Sequence, residues 1–357
     1  MRIRSVRAAA LRDPTLLGRT PEPDSDRGVA DVWGDVLCVV HDTDGRWGLG
    51  MTAYAGPVVP LINDMLGPLL HDTDVSPATA YDDLSRRCRE HFGSFGLASY
   101  ALSAIDLALW DLVGKIEQRP CYELWGGPAA SEMRCYGTGL DVAALVDEGF
   151  DAVKVPCPWT GEAATSVPLV LSVLEDARDR LGPRELMLDC WPIESAPDAI
   201  AVGRAVADHD LAWIEDYVCP DDWDALARVR DELPEATLAS GERWYTEFPF
   251  ERAATAGVVD IVQPDPLWVG GATPTIRIAE AAARHGVSTA IHCAGNDSYG
   301  QHLAAALAEN TITEVYRGVP SYRATPGMAE PIGGVLVPSS EPGFGIALDL
   351  DAIERAT

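Results

Sequence analysis

The segment Leu186-Met187-Leu188-Asp189 sets the pattern of the second half of the chain, because a short apolar run ends there in one carboxylate. Five later apolar runs also end in a single polar residue. The six polar residues are Asp189, Glu215, Glu242, Asp265, His292 and Glu314. They are 26, 27, 23, 27 and 22 residues apart, about the length of one strand, one helix and their loops, which predicts a βα repeat. In a closed (β/α) barrel, such residues converge on the face that carries the active site, so the chain is predicted to be an enzyme.

The same alternation of short apolar and helical segments extends from Arg134 to Tyr316 and predicts eight strands but only seven helices. The 357 residues suffice for a barrel of roughly 250 residues and a smaller domain. We expect a first domain at residues 1–128, the barrel at 129–320 and a C-terminal segment at 321–357 that returns to the first domain.

The first domain is predicted to combine a β-meander with helices, of which residues 97–117 give the clearest pattern. A long segment rich in Pro, Asp, Gly and Arg, residues 12–31, interrupts the meander. We interpret it as a lid that closes over the site, and a disordered surface insertion is the alternative.

Composition limits the classes of partner. The net charge of −28 and the lack of clustered Lys and Arg argue against nucleic acid and against an anionic membrane surface. No run approaches the roughly 18 apolar residues of a membrane span, and the N-terminus lacks the apolar core of a signal peptide. No pair of the eight cysteines has CxxC spacing, so we expect reduced, mostly buried thiols in a cytoplasmic protein.

Three carboxylates at successive strand ends, Asp189, Glu215 and Glu242, indicate a metal site. Hard oxygen ligands suit Mg²⁺, whereas zinc would call for His or Cys at suitable spacing. Asp265 and His292 follow on neighbouring strands, and a carboxylate that orients an imidazole favours a general base. Such a site suits removal of the proton beside a substrate carboxylate.

Glu314 could hydrogen-bond the same substrate carboxylate, for which it would have to be protonated or share a proton; it could also be a structural residue at a strand end. The other histidines are interpreted as surface or capping residues. They are His41, His71, His91, His209, His285 and His302.

Several motifs resemble the enolase superfamily, and within it the mandelate racemase-like branch. They are SAIDLALWD at 103–111, WIE at 213–215, SGE at 240–242 and VQPD at 262–265 followed by Gly270-Gly271. The resemblance covers nearly the whole chain and implies an α/β fold, a (β/α)7β TIM-like barrel with an N-terminal α+β capping domain. It also implies Mg²⁺ ligands at Asp189, Glu215 and Glu242, a His292–Asp265 base dyad and an acid at Glu314.

One departure from the racemase-type pattern limits the reactions that the site is expected to catalyse. Where that pattern has Lys-x-Lys, this chain has Lys154-Val155-Pro156, and proline cannot accept a proton. Two-base racemisation is therefore disfavoured, whereas one base suffices for dehydration to a 2-keto-3-deoxy acid. This variant, with LDCW at 188–191 and YGTG at 136–139, resembles rhamnonate dehydratases and similar acid-sugar dehydratases.

The sequence-based interpretation is thus a Mg²⁺-dependent acid-sugar dehydratase acting on a small carboxylate, with a symmetric homo-oligomer implied by the resemblance. The alternatives are a one-base epimerase or cycloisomerase with the same first step, and a metal-binding protein without catalysis. Lys154 either binds the substrate carboxylate or is structural. The candidate substrate-contacting residues in loops are Arg19, Phe95, Trp159 and Trp191, and the two tryptophans could instead pack under loops.

Overall fold

The computed structural model describes residues 1–17, 34–308, 310, 312–317 and 323–356. The predicted lid segment 12–31 therefore lies outside the described residues from position 18 onward, and so does Arg19.

The N-terminal part combines a three-stranded antiparallel sheet, in the order β1-β2-β3, with helices. Its strands are β1 (Ile3–Ala10), β2 (Val36–Asp42) and β3 (Trp47–Thr52), and its helices are α1 (Ala55–Pro60), α2 (Pro77–His91), α3 (Leu97–Glu117) and α4 (Cys121–Leu124). The Asp42 carboxylate fixes the turn between β2 and β3 by accepting the backbone N–H groups of Asp44 and Arg46 at 3.0 and 2.8 Å. Helix α2 begins at a capping box formed by Ser76 and Thr79.

Helix α3 is the core helix of this part. By length and composition it is apolar enough to cross a membrane, but 83% of its most apolar 18-residue window is buried. Strand β3 lies directly on it, since a Cβ atom built on Gly50 would be 2.0 Å from the carbonyl oxygen of Ala104. The glycine therefore allows backbone to contact backbone at this crossing.

We expect Gly50→Ala to lower the free energy of unfolding by about 1–3 kcal/mol, because the added methyl group forces β3 and α3 apart. Urea denaturation measures the change. Gly139→Ala is the matched control, because the nearest atom to its Cβ would lie at 3.8 Å. Equal stability of the two variants would contradict the close packing.

The second part is a curled sheet of eight parallel strands in the order β10-β9-β8-β7-β6-β5-β4-β11. The strands are β4 (Met133–Thr138), β5 (Ala152–Pro156), β6 (Glu185–Asp189), β7 (Leu211–Glu215), β8 (Leu238–Ser240), β9 (Ile261–Val262), β10 (Ser288–Thr289) and β11 (Thr313–Tyr316). An isolated parallel bridge between Thr289 and Asn310 joins the two ends of the sheet. The predicted (β/α)7β barrel is confirmed.

One helix follows each of the first seven barrel strands. These helices are α5 (Val142–Asp147), α6 (Ala163–Leu181), α7 (Ala196–Ala205), α8 (Trp223–Glu232), α9 (Phe248–Ala256), α10 (Ala272–Arg284) and α11 (Ser298–Ala306). After β11, the next helix among the described residues is α12 (Leu350–Ala356). This pattern matches the count of eight strands and seven helices in the sequence.

Two buried aspartates of α3 join the parts of the molecule. Asp106 accepts hydrogen bonds from the backbone N–H and the hydroxyl of Thr273, at the start of α10, at 2.9 and 2.6 Å. Asp111 accepts the N–H groups of Leu49 and Phe344 at 2.8 and 3.1 Å. The cap helix is thereby fixed both to the barrel and to the C-terminal segment.

The C-terminal segment contacts both parts. Its short strand β12 (Val335–Leu336) pairs antiparallel with β4. Farther along, the N–H of Gly343 donates to Arg119 at 3.0 Å, and its carbonyl accepts the N–H of Cys121 at 2.8 Å.

The interpretation of His302 as a surface or capping residue is wrong. The side chain is fully buried, and its ring lies 5.2 Å from that of Tyr122 and 5.5 Å from that of Phe344. Burial lowers its pKa to about 3, so the ring is neutral in the folded protein. It serves as core packing between α11, the cap and the C-terminal segment.

Candidate active site

The six polar residues of the strand-end pattern lie at the same end of the barrel. Asp189 and Glu215 are the last residues of β6 and β7 and are direct register partners. The register therefore places two carboxylates side by side at the sheet edge. Glu242, Asp265 and His292 follow β8, β9 and β10, whereas Glu314 lies within β11. Their contacts with the ring are given below.

Lys154 lies at the centre of one half of the ring. Its ammonium group contacts Glu215 Oε1, lies 2.9 Å from Glu314 Oε1 and 3.6 Å from Asp189 Oδ2. Although burial opposes its charge, the carboxylates of Glu215 and Glu314 raise the pKa of Lys154 well above its usual value. The side chain is thus a buried cation that neutralises the carboxylates around it.

His292 lies at the centre of the other half. Its Nδ1 is 2.7 Å from Asp265 Oδ2, and its Nε2 is 2.7 Å from Glu242 Oε2. Burial opposes a charge on the ring, but the Cys293 sulfur, Glu242 and the hydrogen bond to Asp265 raise the pKa of His292 well above its usual value. The imidazole is therefore protonated in this arrangement and joins the dyad to the carboxylate ring.

The carboxylates of the ring divide into two groups by pKa. Burial, together with repulsion from nearby carboxylates, raises the pKa of Asp189 to about 6 and that of Glu215 to about 7. Burial also opposes ionisation of Glu242 and Glu314, but His292 lowers the pKa of Glu242 to about 2, and Lys154 does the same for Glu314. The first pair would gain most from a further positive charge.

Glu314 is held in place by two further groups. The Thr138 hydroxyl donates to its Oε1 at 2.6 Å, and the Cys293 N–H donates to its Oε2 at 2.8 Å. Because its pKa is lowered, Glu314 would have to take up a proton before it could donate a hydrogen bond to a substrate carboxylate.

The predicted ligand triad Asp189, Glu215 and Glu242 does not form a compact group of donor atoms among the described residues. The compact group is instead His292, Cys293 and Glu314, whose candidate ligand atoms lie within 4.8 Å of one another. The reason is that Lys154 lies against two of the predicted ligands and His292 against the third, so that side-chain cations neutralise them.

Three ion-paired residues of the site were not identified from the sequence. Asp216 directly follows Glu215, and Arg243 directly follows Glu242. The Arg243 guanidinium lies 2.5 Å from the Asp216 carboxylate and also contacts Glu242. Because both residues directly follow predicted ligands, their positions in the sequence could have identified them. Arg323 comes from the C-terminal segment, where the sequence carries no such pattern.

Arg323 is buried against the dyad. Its Nη1 and Nη2 donate to both carboxylate oxygens of Asp265, at 2.5 and 3.0 Å, and Nη2 is 3.1 Å from Asp297. Such a paired contact fixes the orientation of Asp265 and so that of His292.

We expect Arg323→Gln to lower turnover roughly 10–100-fold, as is typical when a group that orients a catalytic residue is lost. The measurement is kcat and KM, with the downfield Nδ1 proton signal of His292 in NMR spectra as a direct report on the dyad. Arg323→Lys should recover part of the loss. Arg317→Gln is the control, because Arg317 pairs with Glu148 near the surface. An equal loss of turnover in that variant would contradict the role of Arg323 in orienting the dyad.

The predicted substrate-contacting residues in loops differ in their surroundings. Phe95 and Arg243 both line a cavity of about 370 Å³, and Arg243 also contacts Glu242 of the carboxylate ring. Trp191 is 71% exposed, so it does not pack under loops. Its backbone N–H donates to Asp189 Oδ1 at 3.1 Å. Trp159 is partly buried and donates to Glu194 at 2.8 Å.

Two family models match the chain, and together they account for most of it. A model of the mandelate racemase and muconate lactonizing enzyme N-terminal domain matches residues 35–126, and an enolase C-terminal domain-like model matches residues 140–352. The chain belongs to the enolase superfamily, in its mandelate racemase-like branch. The resemblance inferred from the sequence motifs is thereby confirmed.

This enolase-superfamily member is similar to proteins named for several kinds of reaction, of which dehydration and racemisation are two. L-rhamnonate dehydratase of Saccharopolyspora erythraea is 30% identical over 348 residues, which is 94% of this chain and 89% of that one. The crystal structure of L-rhamnonate dehydratase from Gibberella zeae has a TM-score of 0.85 at 26% identity and covers 99% of this chain and 95% of that one. A racemase from Streptomyces coelicolor A3(2) with bound magnesium has a TM-score of 0.83 at 26% identity and covers 99% of both chains.

Proposed function

We propose that this protein is a Mg²⁺-dependent acid-sugar dehydratase that converts a 2,3-dihydroxy carboxylate, of the L-rhamnonate type, to a 2-keto-3-deoxy acid. The observation that carries the proposal is a single general-base dyad, His292–Asp265, within a ring of carboxylates at the barrel mouth. The likeness to L-rhamnonate dehydratases over almost the full length of both chains supports the substrate class.

The donor set fits a divalent cation. Asp189 and Glu215 are side by side. Burial and the negative charge of neighbouring carboxylates raise the pKa values of both, so a cation would stabilise their ionised forms. Asp189, Glu215 and Glu242 would hold it, with Lys154 and His292 giving up part of their contacts to these carboxylates. When bound, Mg²⁺ supplies positive charge that stabilises the negative charge developing on the substrate carboxylate.

In this proposal His292 does the proton transfers. Once Glu242 no longer pairs with the ring, His292 would lose a group that favours its charged form and would be neutral. The neutral ring then takes the α-proton of the substrate, and Asp265 keeps the ring oriented and stabilises its charged form. The resulting imidazolium then donates the proton to the departing β-hydroxyl, so that one water leaves. The enol product tautomerises to the 2-keto-3-deoxy acid.

Among the residues that the structure describes, neither Pro156 nor Lys154, on the strand before Asp189, can serve as a second base. Pro156, the register partner of Asp189, has no group that accepts a proton. Lys154 is held as a cation by its carboxylate neighbours. One-base elimination is therefore favoured over two-base racemisation, which would need a base on each face of the substrate.

The test is incubation with Mg²⁺ and a library of aldonic and aldaric acids, L-rhamnonate included, in D₂O. We expect a 2-keto acid from at least one substrate, detected as its semicarbazone and by NMR. Recovery of epimerised substrate carrying α-deuterium, with no keto acid, would instead assign the one-base isomerase. A failure to convert any acid in the library would contradict the proposal.

A further inference from the structure

Two cysteines lie side by side at the rim of the barrel. Cys157 directly follows Pro156 at the end of β5, and Cys190 directly follows Asp189 at the end of β6. Pro156 and Asp189 are register partners, and the N–H of Cys157 donates to the Asp189 carbonyl at 2.7 Å. The Cys190 side chain belongs to the buried apolar cluster of the barrel, and the Cys157 side chain packs against the same cluster. The two thiols thus lie on the same side of neighbouring parallel strands.

This placement suits a covalent bond between the sulfurs. Neighbouring strands are about 4.7–4.9 Å apart, within the Cα separation of about 4.4–6.8 Å found for disulfides. All eight cysteines are free; Cys157 and Cys219 are partly exposed and the other six are buried. An oxidant in solution can therefore reach Cys157, and Cys190 stands behind it as the second thiol.

The pair is connected to the proposed metal site through the backbone. Cys190 lies between Asp189 and Trp191 in the sequence. Trp191 has a backbone φ of 46°, and its backbone N–H donates to the Asp189 carboxylate at 3.1 Å. Drawing Cys190 toward Cys157 would shift this tight turn, and the Asp189 side chain with it.

We propose that Cys157 and Cys190 form a dithiol that a peroxide converts to an intramolecular disulfide, which displaces Asp189 and weakens binding of a divalent cation. The Cys157 thiol loses its proton, and its sulfur attacks one peroxide oxygen. The O–O bond breaks, a sulfenic acid forms, and the departing hydroxide takes up the released proton to become water. The Cys190 sulfur then attacks the sulfenic sulfur, the S–O bond breaks, and a second water leaves with the Cys190 proton. Two thiols are oxidised and one peroxide is reduced to two waters.

The decisive experiment is a peptide map of the full chain after mild treatment with hydrogen peroxide and alkylation of the remaining thiols. We expect one disulfide per molecule, between the peptides that contain Cys157 and Cys190, and its reversal by dithiothreitol. Cys157→Ser and Cys190→Ala should each abolish it. Cys219→Ser is the matched control, because Cys219 is also partly exposed, and it should leave the disulfide unchanged. No disulfide, or one between other cysteines, would overturn the proposal.

The second measurement is a calorimetric Mg²⁺ titration of the reduced and the oxidised protein. This arm rests on the proposed function, because it requires the Asp189 site to bind the cation. We expect oxidation to weaken Mg²⁺ binding about tenfold or more in the protein and in Cys219→Ser, but not in Cys157→Ser. Equal affinity before and after oxidation would overturn the coupling to Asp189. Absence of Mg²⁺ binding in the reduced protein would count against the proposed function, while the peptide map still decides the disulfide.

Discussion

Replacing His292 with asparagine is expected to lower turnover roughly 10²–10⁴-fold, the usual contribution of a general base, and to abolish exchange of the substrate α-proton with solvent. Asparagine keeps a group that can donate to Asp265 but cannot accept the proton. Mg²⁺ binding should be retained, because Glu242 loses its contact with the imidazolium and is then free to serve as a ligand. The measurements are keto-acid formation, deuterium exchange by NMR and a Mg²⁺ titration.

His285→Asn is the control for this variant, because His285 lies exposed at the end of α10. It should behave as the unmodified protein in all three measurements. Normal turnover of His292→Asn would remove the assigned base and, with it, the proposed order of proton transfers.

Replacing Glu215 with glutamine is expected to weaken Mg²⁺ binding about 100-fold or more, since a carboxylate is replaced by a neutral amide among few protein ligands. Lys154 and Trp213 Nε1 donate to different oxygens of Glu215, the second at 2.9 Å. The amide oxygen can keep the contact with Lys154, and only the hydrogen bond from Trp213 is lost, so the fold should persist. The loss should appear in a calorimetric titration and as a turnover that saturates only at higher Mg²⁺ concentration.

Glu232→Gln is the matched control, because Glu232 is an exposed partner of Arg204 on the surface. An unchanged titration for Glu215→Gln would show that this residue is not a ligand. A loss of the same size in both variants would show that net charge, rather than ligation, determines Mg²⁺ affinity.

Much of the fold was predictable because the barrel repeats its unit. The regular spacing of the polar strand ends fixes the length of each βα unit, and the register between β6 and β7 then places Asp189 beside Glu215. Strand length was less predictable. β9 and β10 contain two residues each, because the chain turns into the loops that carry Asp265 and His292.

The rest of the site was not predictable from the sequence, because it depends on contacts between distant parts of the chain. Arg323 reaches Asp265 across 58 residues, and a single sequence contains no periodicity that relates the two. The same applies to His302, whose burial follows from packing by the cap and the C-terminal segment. Lys154 was identified through the resemblance to the racemase-type Lys-x-Lys pattern, but its contacts with three carboxylates appear only when the strands are assembled.

We infer that Asp189, Glu215 and Glu242 together hold one divalent cation beside His292. The most direct measurement is anomalous diffraction from crystals soaked with Mn²⁺ in place of Mg²⁺. We predict one strong peak for an ion that one oxygen of each of the three carboxylates coordinates at about 2.0–2.2 Å. His292 Nε2 should then no longer contact Glu242. A peak held by His292, Cys293 and Glu314 instead, or no peak among these residues, would contradict the claim.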